Sequence, residues 1–140
     1  MAYDDGTPPL IACTVSPGDF SFTGFKATKE CVIAIPGVEL AEKVVKVGNC
    51  SGRNIDKFEA YGLTPLPADC VKAPLVAECF ANLEWRVVEK RLVNRYKLFV
   101  LQVVKAWADP DQPNPKTIHH HRYGVFTVDG EIIHLESRMP

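Results

Sequence analysis

The chain lacks several things that would have settled its class at once. None of its 140 residues belong to a run approaching the roughly 20 apolar residues of a membrane span. The longest candidate, Leu98 to Ala108, is interrupted by Gln102 and Lys105. The start, Met1 to Gly6, is acidic and has neither the cationic nor the apolar region of a signal peptide, so a cytoplasmic protein is expected. Charge of one sign is also missing. Sixteen Lys and Arg against 17 Asp and Glu give a net charge of -1, and the basic residues form no stripe. No nucleic-acid or membrane partner is expected from such a balance. Five cysteines occur, an odd number with no C-x-x-C pair, which argues against a disulfide framework and a zinc ribbon. There is no G-x-S-x-G elbow, no G-x-G-x-x-G and no Walker loop.

What remains is enough for one domain over residues 1–140. Hydrophobic residues make up 46% and charged residues 24%, a composition that buries a core and excludes wholesale disorder. Eleven prolines and nine glycines punctuate short elements. Leu10 to Val15 reads as a strand. Asp19 or Ser21 caps a short helix to about Lys29, with Phe22 and Phe25 inward. Cys31 to Ile35 is a second strand, stopped by Pro36-Gly37. Glu39 to Val47 is a helix with Leu40, Val44 and Val47 on one face and two favourable i,i+4 pairs. Asn54 is expected to cap another helix, with Ile55 and Phe58 inward and Gly62 closing it, and Leu63 to Pro74 is expected to be loop.

The second half alternates. In Cys79, Ala81, Leu83, Trp85 and Val87 every second residue is apolar, with Asn82, Glu84 and Arg86 between the later ones, so one face of a strand is buried. Leu98 to Trp107 is expected to be a strand buried on both faces. Tyr123 to Val128 and Ile132 to Leu135 are expected to pair across Asp129-Gly130. Helices early and antiparallel strands late predict a mainly β chain, a barrel or curved sheet with short peripheral helices.

Three segments could carry chemistry. Gly48 to Phe58 is a small polar loop entering a helix. Ser51, Gly52, Arg53 and Lys57 there suit a phosphate, although a plain capped loop explains the same residues. Ser16 to Ser21 is a polar turn that presents Ser16, Ser21 or an amide to a ligand, and a helix cap again accounts for it. Thr117 to Gly124 holds three adjacent histidines. In an extended segment His119 and His121 share a face and His120 points away. With no carboxylate or cysteine cluster to complete a metal site, these imidazoles suit a proton donor or hydrogen-bond partner beside a cofactor better.

In order, these pieces resemble the flavin reductase-like family of FMN-binding split barrels, in its flavoredoxin and ferric-reductase-like branch. The resemblance runs through Glu30 to Pro36, the helix from Glu39, Ser51-Gly52-Arg53 with Asp56-Lys57-Phe58, Ala73 to Cys79, and Phe99 to Trp107 with a His-bearing segment after it. It implies a split β-barrel of the Greek-key type and a homodimer. It also implies that FMN takes a hydride from NAD(P)H and passes electrons to an unknown acceptor. Ser16, Ser21, Ser51, Gly52, Arg53 and Lys57 would hold the cofactor, and His119 or His121 would stand near the flavin or nicotinamide. The family's further N-terminal strands have no counterpart in the seven residues before Pro8. That expectation gives the alternative: a shortened barrel without tight flavin binding, acting as a non-catalytic binding or structural protein.

Overall fold

A computed structural model describes residues 8–136. Strand β1 (Leu10–Thr14), helix α1 (Phe20–Thr28) and strand β2 (Glu30–Ile35) come first. A 3-10 turn over Val38–Leu40 leads into α2 (Ala41–Gly48), and a short α3 follows at Lys57–Tyr61. A two-residue ladder joins β3 (Pro65–Leu66) to β4 (Leu75–Val76). The long strands β5 (Ala81–Glu89) and β6 (Leu98–Ala108) flank the single-turn α4 (Val93–Tyr96). A hairpin of β7 (Ile118–Arg122) and β8 (Val125–Val128) is the last regular structure among the described residues.

The main sheet has the order β1-β6-β5-β2, with every neighbour antiparallel. Register shifts at Glu84/Trp85 and Val87/Glu89 place bulges between the two central strands. Bulges bend a strand and increase its twist. The result is a curled half-barrel whose two edge strands reach one core. Ile11, Cys13 and Val15 from the β1 side meet Cys31 and Ile33 of β2 around Trp85, Phe99 and Leu101. Helix α1 closes the concave face by setting Phe22 and Phe25 on Phe99, at centroid distances of 5.9 and 5.2 Å. Phe99 and Leu101 have almost no exposed surface, and burial of each contributes about 2 kcal/mol. Burial also pushes the Cys31 thiol up to about 12, so it behaves as a small apolar side chain.

Several expectations need correction. Asp56, not Asn54, caps α3: its carboxylate accepts from the N–H groups of Phe58 and Glu59 at 2.9 and 3.4 Å. Ile55 therefore precedes the helix, and Asn54 is spent on a turn to Ser51. The segment Leu63 to Pro74 is not all loop, because Pro65 and Leu66 pair with β4. Only the first half of β6 is deeply buried, and from Lys105 onward it lies mostly open. The final hairpin turns at Tyr123-Gly124, both at positive φ (54° and 75°), as a tight two-residue turn requires. Asp129 is unavailable for the expected turn because its carboxylate accepts from both the N–H and the hydroxyl of Thr117 and bonds His119 at 2.7 Å. Ile132 to Leu135 form no strand.

The alternation in β5 is real, but both of its faces are covered. Leu83, Trp85 and Val87 face the core, while Asn82 and Glu84 on the opposite face are also buried. Asn82 exchanges two hydrogen bonds with Val76, at 2.9 and 3.0 Å. Glu84, with no exposed surface, accepts from the N–H groups of Asp69, Cys70 and Val71 and from the Trp107 indole. Burial pushes this carboxyl up, but the four hydrogen bonds together outweigh it and hold the group below the usual range.

Glu84→Gln replaces an acceptor by an amide that also donates, so some of these N–H groups lose their partner. The variant should lose about 3 kcal/mol, read as a lower urea midpoint at unchanged slope. A depressed carboxyl contributes stability that is full above the unfolded value of about 4.3 and is lost as pH falls through the lower folded value. The difference between wild type and Glu84→Gln should therefore shrink below about pH 4.3; a gap that stays constant to lower pH would contradict the assignment.

Candidate functional site

The turn after β1 and the loop after α2 are separated by some thirty residues of sequence but line one cleft of about 540 Å³. One wall carries Gly18, Asp19, Phe20 and Ser21 at the start of α1. The other carries Gly48 to Gly52 and Lys57. The first amides of α1 have no partner within their own helix, and its positive dipole end points the same way. Asp19 takes the N-cap position in extended backbone without a side-chain capping bond, and it is the one carboxylate on the lining.

The structure brings Ser21, Ser51, Gly52 and Lys57 together and sets Ser16 and Arg53 at the margin. Ser51 Oγ accepts from the Arg53 N–H at 3.2 Å and thereby shapes the loop. Lys57 Nζ donates to the Val47 carbonyl at 2.7 Å, among the orphan carbonyls that end α2. Gly52 leaves room beside Phe20: an added Cβ would sit 3.4 Å from the ring. Arg53 stacks its guanidinium over the same ring, 5.6 Å from the centroid. Ser16 Oγ accepts from Gly18 N–H at 3.3 Å within its own turn. Cys50 Sγ lies 2.6 Å from the Tyr61 hydroxyl, and that contact holds the Tyr61 pKa above its ordinary value.

A second cavity of about 480 Å³ shares Gly48 and Asn49 with the first. Its far side is the β7–β8 hairpin, through His120, Tyr123 and Phe126. His120 and Phe126 are cross-strand partners with rings 4.8 Å apart. The strand parity that joins His119 and His121 thus turns both away from these cavities. His119 bonds Asp129, and His121 bonds Thr127 at 2.7 Å. The imidazole that reaches the cavity is His120. Cross-strand pairing to Phe126 is what separates His120 from the other two, and the family resemblance that pointed to His119 or His121 does not carry it.

A half-barrel sheet with a polar cleft at its helical end defines a split-barrel type of fold, and comparison with known proteins agrees. The sequence profile of the Flavin reductase like domain matches residues 5–128, and the chain belongs to that family. An uncharacterized protein of Archaeoglobus fulgidus is 34% identical over 98 residues, covering 70% of this chain and 55% of that one. The chain thus spans about half the length of that relative. The uncharacterized Escherichia coli protein YddH is 29% identical over 136 residues, 89% of this chain and 72% of its own. Among solved structures, flavoredoxin of Desulfovibrio vulgaris superposes with a TM-score of 0.84 at 21% identity, covering 94% and 76% of the two chains. An FMN-binding domain of a flavin reductases-like enzyme from Shewanella baltica gives 0.83 at 22%, covering 91% and 74%. The fold is the split barrel of these proteins. Among the described residues no helix is long and apolar enough to cross a membrane.

Lys57 has a structural duty that precedes any ligand. Lys57→Met removes a charged donor from the end of α2 and should cost about 1 kcal/mol in urea unfolding of the protein without added ligand. No loss at all would mean that the lysine is free to swing and does not organise the loop.

Proposed function

We propose that the protein binds FMN in the paired cavities and, as a homodimer, moves electrons from NAD(P)H through it to an acceptor. The observation that carries this reading is the convergence of the two polar loops on one cleft, with Ser21, Ser51, Gly52 and Lys57 on its walls. The donor set fits the group. Hydroxyls, unpaired helix amides and one ammonium suit a phosphate and a ribityl chain, and the adjoining cavity with His120 and Phe126 suits a planar ring. FMN, when bound, supplies the capacity to accept a hydride and release electrons singly or in pairs. The chain's own residues bind and orient. Ser21 and Ser51 would donate to the phosphate oxygens and Lys57 would offset their charge, with Gly52 leaving the loop backbone open beside Phe20. Arg53, over the Phe20 ring and outside the lining, would add a second cation at the margin of the cleft.

The homodimer is supported by apolar surface on the C-terminal side. Tyr123, Ile132, Ile133 and Leu135 are all more than two-thirds exposed, an arrangement that a partner subunit would cover.

Purified protein titrated with FMN should turn yellow and quench flavin fluorescence saturably, and NADH or NADPH should bleach the complex. Arg53→Ala with Lys57→Ala should weaken FMN binding about tenfold or more. A colourless protein that takes up no FMN would favour the alternative, a split barrel that acts as a non-catalytic binding or structural protein. The assembly is tested separately. Ile132→Glu with Leu135→Glu should convert a dimer into a monomer in sedimentation; a wild-type chain that sediments as a monomer overturns the homodimer.

A further inference from the structure

A third, smaller cavity lies at the C-terminal end of α1, opposite to the cleft. It encloses about 240 Å³, below the roughly 300–1,000 Å³ of sites for drug-sized molecules. Its floor is apolar: Phe25, Val87, Val93 and Phe99. Val93 and Phe99 are 5% and 2% exposed, so the hollow opens onto the core cluster itself and not onto loose surface side chains.

Its rim is cationic. Lys26, Lys29 and Lys90 line it, with Asn94 as the one neutral polar residue and no carboxylate. Lys26 in the last turn of α1 and Lys29 at its C-cap complement the negative end of that helix. Lys90 follows β5 and has no such duty. Among the described residues none of the three pairs with a carboxylate. The acidic neighbour in sequence, Glu89, is already taken by Arg91 at 2.6 Å, and Lys26 instead lies over the Phe22 ring, 5.6 Å from its centroid. Lys97 adds a fourth positive charge nearby, with its Nζ on the Asn94 carbonyl at 2.7 Å.

Like charges gathered without a counter-ion repel, and an apolar hollow in contact with water is unfavourable. One kind of molecule relieves both. We propose that this groove binds a small carboxylic acid with an apolar body. The body rests on Phe25, Val93 and Phe99, and the carboxylate lies among Lys26, Lys29 and Lys90. A neutral molecule would leave the lysines unpaired, and a small hydrophilic anion would leave the floor wet. The site is separate from the FMN cleft, since no residue lines both.

Octanoate is the probe, and amide NMR of the full chain is the readout. Octanoate should give saturable shifts confined to residues 25–29, 87–94 and 99, with a Kd of about 0.1–1 mM. Octanamide, of the same shape but uncharged, should bind at least tenfold more weakly, and acetate should not saturate. Lys26→Glu with Lys90→Glu changes two exposed side chains and should weaken octanoate at least tenfold while the spectrum stays dispersed. Saturating FMN should leave the octanoate titration unchanged, so this result stands or falls apart from the flavin reading. The proposal is overturned if octanamide matches octanoate, if charge reversal has no effect, or if the shifts fall elsewhere or are absent.

Discussion

A carboxylate with no contact with water holds the non-core side of this sheet together. Glu84 sits in the middle of β5 and accepts from three consecutive backbone N–H groups and an indole. An ionised group in that position is tolerable only when every lone pair is used. The requirement runs outward. Residues 69–71 must wrap over the carboxylate, Trp107 must reach it from β6, and Lys105 then pairs with Asp69 at 2.6 Å while stacking on Trp107. Arg86 reaches the Cys70 carbonyl, and Glu30 of β2 takes the Lys72 N–H. The long connection between α3 and β4 is thereby fastened to three strands, and so the position of α3 is constrained by groups far from the cleft it serves.

That constraint bears on the site through Lys57. Helix α3 has only five residues and could not hold its place by itself. It is anchored behind by the clamped connection and in front by the Lys57 bond to the end of α2. Lys43 of α2 reaches across to the Gly62 carbonyl at 3.0 Å, which ties the far end of α3 to the same helix. The cleft wall from Gly48 to Gly52 is therefore a loop slung between two fixed ends. Its walls are built by packing and backbone bonding, and its hydroxyls and amides are placed before any ligand arrives.

Much of the architecture was legible in the sequence because it rests on period and punctuation. The alternation from Ala81 to Val87 gave β5 and its core face, and the charge-paired helix before Gly48 gave α2. What failed were choices between chemically equivalent residues. Asn54 and Asp56 are both good caps, and only the fold shows which one meets free N–H groups. Asp129-Gly130 and Tyr123-Gly124 both can turn a chain, but the Asp129 carboxylate is committed to Thr117 and His119. Strand parity separates His120 from His119 and His121 but does not say which face meets the cavity, and the family resemblance pointed to the other pair. Burial of Glu84 was invisible for a related reason: period places it on the face away from the core, and nothing local tells that a loop from 69 to 76 covers that face. The cleft itself was legible as two half-sites, Ser16 to Ser21 and Gly48 to Phe58, whose meeting depends on long-range topology.

The two ends of α1 carry the same logic with opposite sign. At its N-terminus the dipole is positive and the Phe22 N–H already bonds the Asp19 carbonyl, so an anion there would be met by the remaining first-turn amides and by a single ammonium, Lys57, on the lining. At its C-terminus the dipole is negative, and Lys26 and Lys29 first offset that field before any charge is left for a ligand. Three lysines around the small groove and one lysine in the larger cleft are therefore not a measure of which site holds an anion more firmly. Binding in the proposed groove would depend on its exposed ammonium groups and weaken with added salt. The proposed cleft would rely on the start of α1, seated by the packing of Phe22 and Phe25 on Phe99, and on the Gly48 to Gly52 loop held between α2 and α3. One nine-residue helix, seated by two aromatic rings, thus supplies a wall to both cavities.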